Sequence, residues 1–307
     1  MKVLLIVNAT ASSVTARSRV VIQKALSADH DVTLAETSRR GHASRLAQGA
    51  AAEGTEVVVV LGGDGTLNEA ANGLVGTDCA LAVLPGGSTN VFARTIGLPN
   101  DPMECVGILL EALERRSITR IGLGSVNGRY FLFHAGLGFD AAVVAQVEKR
   151  STLKRWAGHP LFAYAALTTW LRHYDRSQPR LGLRFPDGTA VDDGYFTIVL
   201  NTDPYTYLGN RPLHASPDTG LDDALGVVTL RSLRLPTVVR VVAATLGSGR
   251  ALGRNPMVDL RTGVTSLHVE GHGPFPYQVD GDHLGDVTSL DIAYEPDVLS
   301  LLFPVPD

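Results

Sequence analysis

The sequence predicts an α/β N-terminal domain built on a doubly wound, mostly parallel sheet, followed by a C-terminal β-rich, antiparallel sandwich-like domain with a helical insertion. Three observations carry this. Short apolar runs alternate with segments of helical period through the first 120 residues. Two of those runs end in glycine-rich turns that open onto helical segments. Beyond residue 120 the helical period mostly gives way to strand and turn signals.

Taken in order, Val3–Val7 reads as a strand, Ser13–Ala28 as a helix, Val32–Ala35 as a strand, Ala43–Glu53 as a helix and Val57–Leu61 as a strand. An unbroken run such as Val57-Val58-Val59-Val60-Leu61 suits a strand buried on both faces, as a parallel sheet covered by helices requires. Ala80–Leu84 is the next strand, and Pro102–Arg116 has the period of an amphipathic helix. In the second half, turns at Ser125–Gly128 and Pro186-Asp187-Gly188 separate apolar runs, with strands near Phe196–Leu200, Val227–Leu230, Leu267–Val269 and Leu290–Ala293. Helical spacing over Asp140–Lys149 and Leu153–His173 marks the insertion. The expected domains are residues 1–120, rejoined by the tail 295–307, and residues 121–294.

At 307 residues and 45% hydrophobic, the chain is long enough for two packed cores. A net charge of −4 supplies no global basic field for nucleic acid, so any contact with a lipid surface has to be local. Cys79 and Cys105 lack CxxC spacing and read as reduced core thiols, which suits the cytoplasm. The opening MKVLLIVNATASS reads as a buried first strand rather than a signal peptide, because its apolar run breaks at once into Asn, Ser and Thr. No stretch approaches the roughly 18 apolar residues that span a bilayer; Val238–Leu246 is short and holds Arg240. The histidines are scattered without metal-ligand spacing. The aromatic segment from Trp156 to Trp170, with Lys149, Lys154, Arg155 and Arg172 nearby, fits a packed helix better than a membrane-contact face. Nothing fixes the oligomeric state, and a homodimer is compatible.

The chemistry gathers in two loops. In VVVVLGGDGTLNEAANGL a strand runs into Gly62-Gly63-Asp64-Gly65-Thr66 and then a helix starting near Thr66. Glycines let backbone N–H groups approach anionic oxygens, the helix N-terminus adds positive potential, and Thr66 offers a hydroxyl. Asp64 inside such a cradle would repel bare phosphate and so points to a bridging divalent cation; a plain strand-to-helix turn capped by Asp64 is the bland alternative. The second loop, LAVLPGGSTNVFARTIGLP, repeats the arrangement at the next strand end, where ligands of open α/β sheets bind. Ser88 and Asn90 can hydrogen-bond ribose or phosphate, and Arg94 lies one helical turn beyond Asn90, facing either a phosphate or solvent.

These paired motifs resemble the diacylglycerol kinase catalytic domain family, which includes bacterial lipid kinases, ceramide kinases and sphingosine kinases. Asn8, NGRYFLFHAGLGFDAAV at 127–143, NTDPYTYLGNRPLHASPDTGLDDALG at 201–226 and YQVDGDHLG at 277–285 extend the resemblance along most of the chain. The resemblance implies ATP and Mg2+ as cofactors, held by Asn8, Gly62, Gly63, Asp64, Gly65, Thr66, Ser88 and Asn90, with Arg94 on phosphate. It implies Asp280 as the base that deprotonates the acceptor hydroxyl, beside Asp282 where the family has Glu, and Asp218 and Asp223 as ligands of a structural divalent cation. Val91 and Gly122 stand where relatives often carry carboxylates of the magnesium network, so Asp64 is expected to bear more of it. The implied activity is phosphorylation of a primary hydroxyl on a lipid such as diacylglycerol or a sphingoid base, at a membrane surface and in a cleft between the domains. An NAD kinase-like enzyme and a degenerate nucleotide-binding regulator are the competing readings.

Overall fold

A computed structural model describes residues 1–148, 168–169, 174 and 177–305. The chain divides into two compact units, Met1–Leu123 with Pro296–Asp307, and Gly124–Glu295.

In the first unit, β1 (Lys2–Val7), β2 (Asp31–Glu36), β3 (Val57–Gly62) and β4 (Ala80–Pro85) run parallel in the order β4–β3–β1–β2. All six residues of β3 and of β4 are buried, as the unbroken apolar runs require of central strands covered on both faces. Five helices surround them: α1 (Ala16–Leu26), α2 (His42–Ala52), α3 (Asp64–Leu74), α4 (Val91–Thr95) and α5 (Cys105–Glu114). Helix α1 starts later than its period suggests because Thr15 caps it; the Thr15 hydroxyl accepts from Ser18 N at 3.0 Å and Ser18 Oγ accepts from Thr15 N at 3.0 Å. Helices α2 and α3 meet at Gly73, where a Cβ would lie 2.3 Å from the carbonyl oxygen of Ser44. Glu69 then closes the start of α2 by accepting from Gly41 N at 2.7 Å and Ala43 N at 3.2 Å. Both motif residues thus serve packing.

The second unit is β-rich and antiparallel, as the turn signals predict. Strands β7 (His134–Gly138), β10 (Phe196–Leu200), β13 (Leu225–Leu230), β14 (Val258–Val264), β15 (Ser266–Val279) and the first part of β16 (Asp282–Leu302) lie in the order β14–β13–β10–β7–β15–β16. Two hairpins complete it, the end of β5 (Ile118–Val126) with β6 (Arg129–Phe131) and β8 (Leu181–Arg184) with β9 (Ala190–Gly194); a small one pairs β11 (Thr206–Leu208) with β12 (Arg211–Leu213). The first hairpin turns through Asn127 and Gly128, both at positive φ, a combination that suits a two-residue turn. Its main core gathers Phe131, Leu137, Leu183, Val199, Val227, Val269, Phe275 and Ile292.

Helix α6 (Phe139–Glu148) matches the first half of the expected insertion, whereas Leu153–His173 falls almost wholly outside the described residues. A further helix, α7 (Leu235–Leu246), escaped the sequence reading, which took its apolar run only as too short to cross a membrane. No helix among the described residues is long and apolar enough to do so.

Candidate nucleotide site and candidate base

Three loops of the first unit meet at the carboxyl ends of β1, β3 and β4. Asn8 follows β1, and its Nδ2 donates to Thr66 Oγ1 at 2.9 Å while its Oδ1 accepts from Thr10 N at 3.1 Å. Ser13, farther along the same loop, donates its amide to Gly86 O at 2.9 Å and its hydroxyl to Gly87 O at 3.1 Å. The two glycine-rich loops lie backbone against backbone: Gly86 N donates to Gly62 O at 2.7 Å, and a Cβ on Gly87 would stand 2.9 Å from Gly63 Cα. Glycine here is a requirement of close approach, so Gly87→Ala is expected to push the loops apart and to lower nucleotide affinity by about tenfold. Calorimetric titration with magnesium-ATP checks this.

Asp64 is the first residue of α3, two positions earlier than the start expected near Thr66, with Gly63 as N-cap. Its carboxylate reaches across to the second loop and accepts from Val91 N at 3.0 Å and Phe92 N at 3.2 Å. The carboxylate therefore has a structural partner, and its presence in the cradle does not by itself call for a cation. Val91 joins the site through its amide.

The remaining residues divide into outward and inward ones. Gly63, Gly65 and Thr66 are half-buried around the first turn of α3, whose amides a helix cannot pair internally, and Ser88 is exposed. Gly62 is buried under Thr66, whose Cβ would lie 3.0 Å from a Cβ there. Asn90 is 2% exposed at φ 49°, and its amide group folds back on Gly87 N (2.7 Å), Gly87 O (2.9 Å) and Asn100 Oδ1 (2.7 Å), so it shapes the loop from within. Arg94 is half-buried in α4.

In the second unit Asp280 and Gly281 form the two-residue turn between β15 and β16, both at positive φ (47° and 80°), with Val279 paired to Asp282. The turn is a hairpin, and it does more. The Asp280 carboxylate, 5% exposed, accepts from three consecutive amides, Leu132 N at 2.7 Å, Phe133 N at 3.1 Å and His134 N at 3.1 Å. Those donors fix its position. Behind it, Gln278 accepts from Gly281 N at 2.8 Å and donates to Asp140 Oδ2 at 2.8 Å, and Tyr205 also donates to Asp140. No motif spacing links the members of this part-buried triad, so the sequence alone does not reveal it. Asp282 pairs with Arg129 at 3.1 Å.

The ring of His134 lies between Phe133 and Tyr205, with Nδ1 buried and unpaired among the described residues. Burial lowers its pKa to about 4, against the opposing pull of Asp140. Between about pH 6.5 and about 4 the unfolded chain then binds a proton that the folded one refuses. Stability is therefore full above the unfolded value and falls as pH drops through this window, by up to roughly 3 kcal/mol. Urea melts of wild type and His134→Gln across this range should converge at low pH if the assignment holds.

Asp218 and Asp223, the expected metal ligands, are exposed in their loop, and no cluster of three or more His, Cys, Asp or Glu among the described residues could hold a metal ion. The carboxylate that organises this loop is Asp203, which accepts from Ala215 N at 2.9 Å and Ser216 N at 3.0 Å and pairs with His214 at 2.5 Å. Burial pushes the Cys79 and Cys105 thiols up to about 11 and about 12, so neither is a nucleophile at neutral pH.

Residues 2–143 match the diacylglycerol kinase catalytic domain model. A diacylglycerol kinase of Bacillus subtilis is 36% identical over 236 residues, 74% of this chain and 72% of that protein. A Pseudomonas aeruginosa protein named "Probable lipid kinase YegS-like" is 29% identical over 309 residues, 99% of this chain and 94% of its own length; one of that name from Chromohalobacter salexigens is 35% identical but matched over only 53% of its length. The crystal structure of a diacylglycerol kinase from Bacillus anthracis superposes with a TM-score of 0.76 over 98% of this chain and 96% of that one, at 23% identity, a likeness of fold. The chain belongs to the diacylglycerol kinase family and is a kinase, a phosphotransferase with an alcohol acceptor.

Proposed function

We propose that the chain is an ATP- and magnesium-dependent lipid kinase that phosphorylates the primary hydroxyl of diacylglycerol or a sphingoid base, working in the cytoplasm at a membrane surface. The observation that carries this is the convergence of three loops at adjacent parallel strand ends, tied by Asn8 to Thr66, Gly62 to Gly86 and Asp64 to Val91 and Phe92. Close glycine packing and the first-turn amides of α3 form a cradle of the kind that fits phosphate oxygens. In it, Gly63, Gly65, Thr66 and the exposed Ser88 would meet the nucleotide, and Arg94 a phosphate. Asn8 and Asn90 would hold the loops in shape, as their own bonds indicate. Magnesium-ATP supplies the phosphoryl group and neutralises its charge. With no preformed metal cluster among the described residues, the ion would arrive largely on phosphate oxygens, with Asp64 as the nearby carboxylate.

Asp280 is the proposed base. Three amide donors hold its carboxylate in one orientation, which is what proton abstraction from a positioned alcohol needs. Asp282 stays paired with Arg129 and would help fix that turn. The test is a parallel incubation of γ-labelled ATP with diacylglycerol, sphingosine, ceramide and NAD. Label in a lipid and not in NADP supports the reading, and label confined to NADP overturns it.

A further inference from the structure

Helix α7 carries apolar side chains on two faces, one turned to the core and one exposed. Val238, Val241 and Ala244 pack against a core cluster that includes Ile198, Leu200, Val228 and Leu230. Leu235, Val239 and Val242 are 58%, 58% and 49% exposed. Steps of four and three place these three in one stripe along the helix. A single exposed leucine is ordinary, but a row at helical spacing on a helix with no acidic residue marks a surface that leaves water in some state of the protein.

Charge says what covers it. From Arg231 to Val258 the sequence holds five arginines and no Asp, Glu or Lys, in a chain of net charge −4. Arg231 is paired with Asp193, while Arg234, Arg240, Arg250 and Arg254 all stand exposed. Arg234 is the N-cap of α7, where the helix dipole disfavours a cation, so helix stability does not account for it. A second copy of this chain would set like against like, because a two-fold interface through α7 opposes one arginine-flanked helix to another. An anionic bilayer suits both features.

We infer that the Leu235–Val239–Val242 face of α7 is the docking surface for an anionic phospholipid bilayer. The apolar stripe enters the acyl boundary, and Arg234 and Arg240 meet lipid phosphates. The inference deepens the lipid-acceptor reading by naming how the chain reaches the membrane that holds its acceptor.

The experiment is co-sedimentation of the full chain with phosphatidylcholine vesicles and with vesicles that also contain phosphatidylglycerol, without nucleotide. Wild type is expected to bind only the second kind. The double variant Val239→Asp/Val242→Asp should bind at least about tenfold more weakly, and Arg234→Ala and Arg240→Ala about fivefold each, with the arginine effects fading in high salt. Unchanged vesicle binding by the double variant would overturn the inference, as would a wild-type dimer that dissociates in that variant without any vesicle binding. Phosphorylation of short-chain diacylglycerol in detergent micelles, run alongside, should be equal in wild type and variants. Its absence in all of them, with sphingosine offered as acceptor as well, would sink the lipid kinase reading and leave the vesicle result standing.

Discussion

Replacing Asp64 with alanine is expected to lower magnesium-ATP affinity by about tenfold or more, a loss of at least about 1.4 kcal/mol of binding. The structural reason is that Val91 N and Phe92 N both point at this carboxylate. Without it, two donors in a half-buried setting lose their acceptor, at roughly 1–3 kcal/mol of stability, and the second loop loses its tie to the first. Asp64→Asn separates the two contributions. Its amide oxygen can still accept from one donor, so most of the fold stability should return, but the negative charge beside a magnesium ion is gone. Calorimetry that finds weak binding in both variants, with stability recovered in Asn, supports a role in metal-nucleotide binding. Wild-type affinity in Asp64→Asn would reduce Asp64 to a tie between loops.

Asp280→Asn is expected to cut kcat by about 10²- to 10⁴-fold, the usual share of a general base, with ATP affinity unchanged. The alanine variant is the poorer test. Three consecutive buried amides, from Leu132 to His134, answer this carboxylate, and stranding them should cost on the order of 3 kcal/mol and disturb the segment before β7. Asparagine keeps an oxygen for part of that set and cannot take the proton. Turnover at the wild-type rate in Asp280→Asn would remove the base assignment.

The parallel half of the fold was legible because buried strands must be apolar on both faces, and the run Val57–Leu61 leaves little else to be. The long strands β15 and β16 showed only in part, as Leu267–Val269 and Leu290–Ala293, because register shifts near Glu270–Phe275 and Tyr277–Gln278 interrupt the alternation. Helix α7 was hidden for a related reason. With apolar residues on its outer face as well as its inner one, it lacks the polar stripe that identifies a surface helix. At the site, the glycine loops could be read from local pattern alone. Their close contact at Gly63 and Gly87, and the bond from Asp64 to Val91, join residues some 24 and 27 positions apart and follow only from the strand order. Asp280 shows the same limit, since Asp-Gly reads as a hairpin turn and its amide partners lie 146 to 148 residues earlier.

The most direct measurement is rapid-quench transfer of the γ-phosphate from ATP to diacylglycerol in mixed micelles, with magnesium and with the metal chelated. Labelled phosphatidic acid is expected to form, and only with magnesium present. A chain that binds ATP yet transfers no phosphate to any lipid hydroxyl with magnesium present would contradict it.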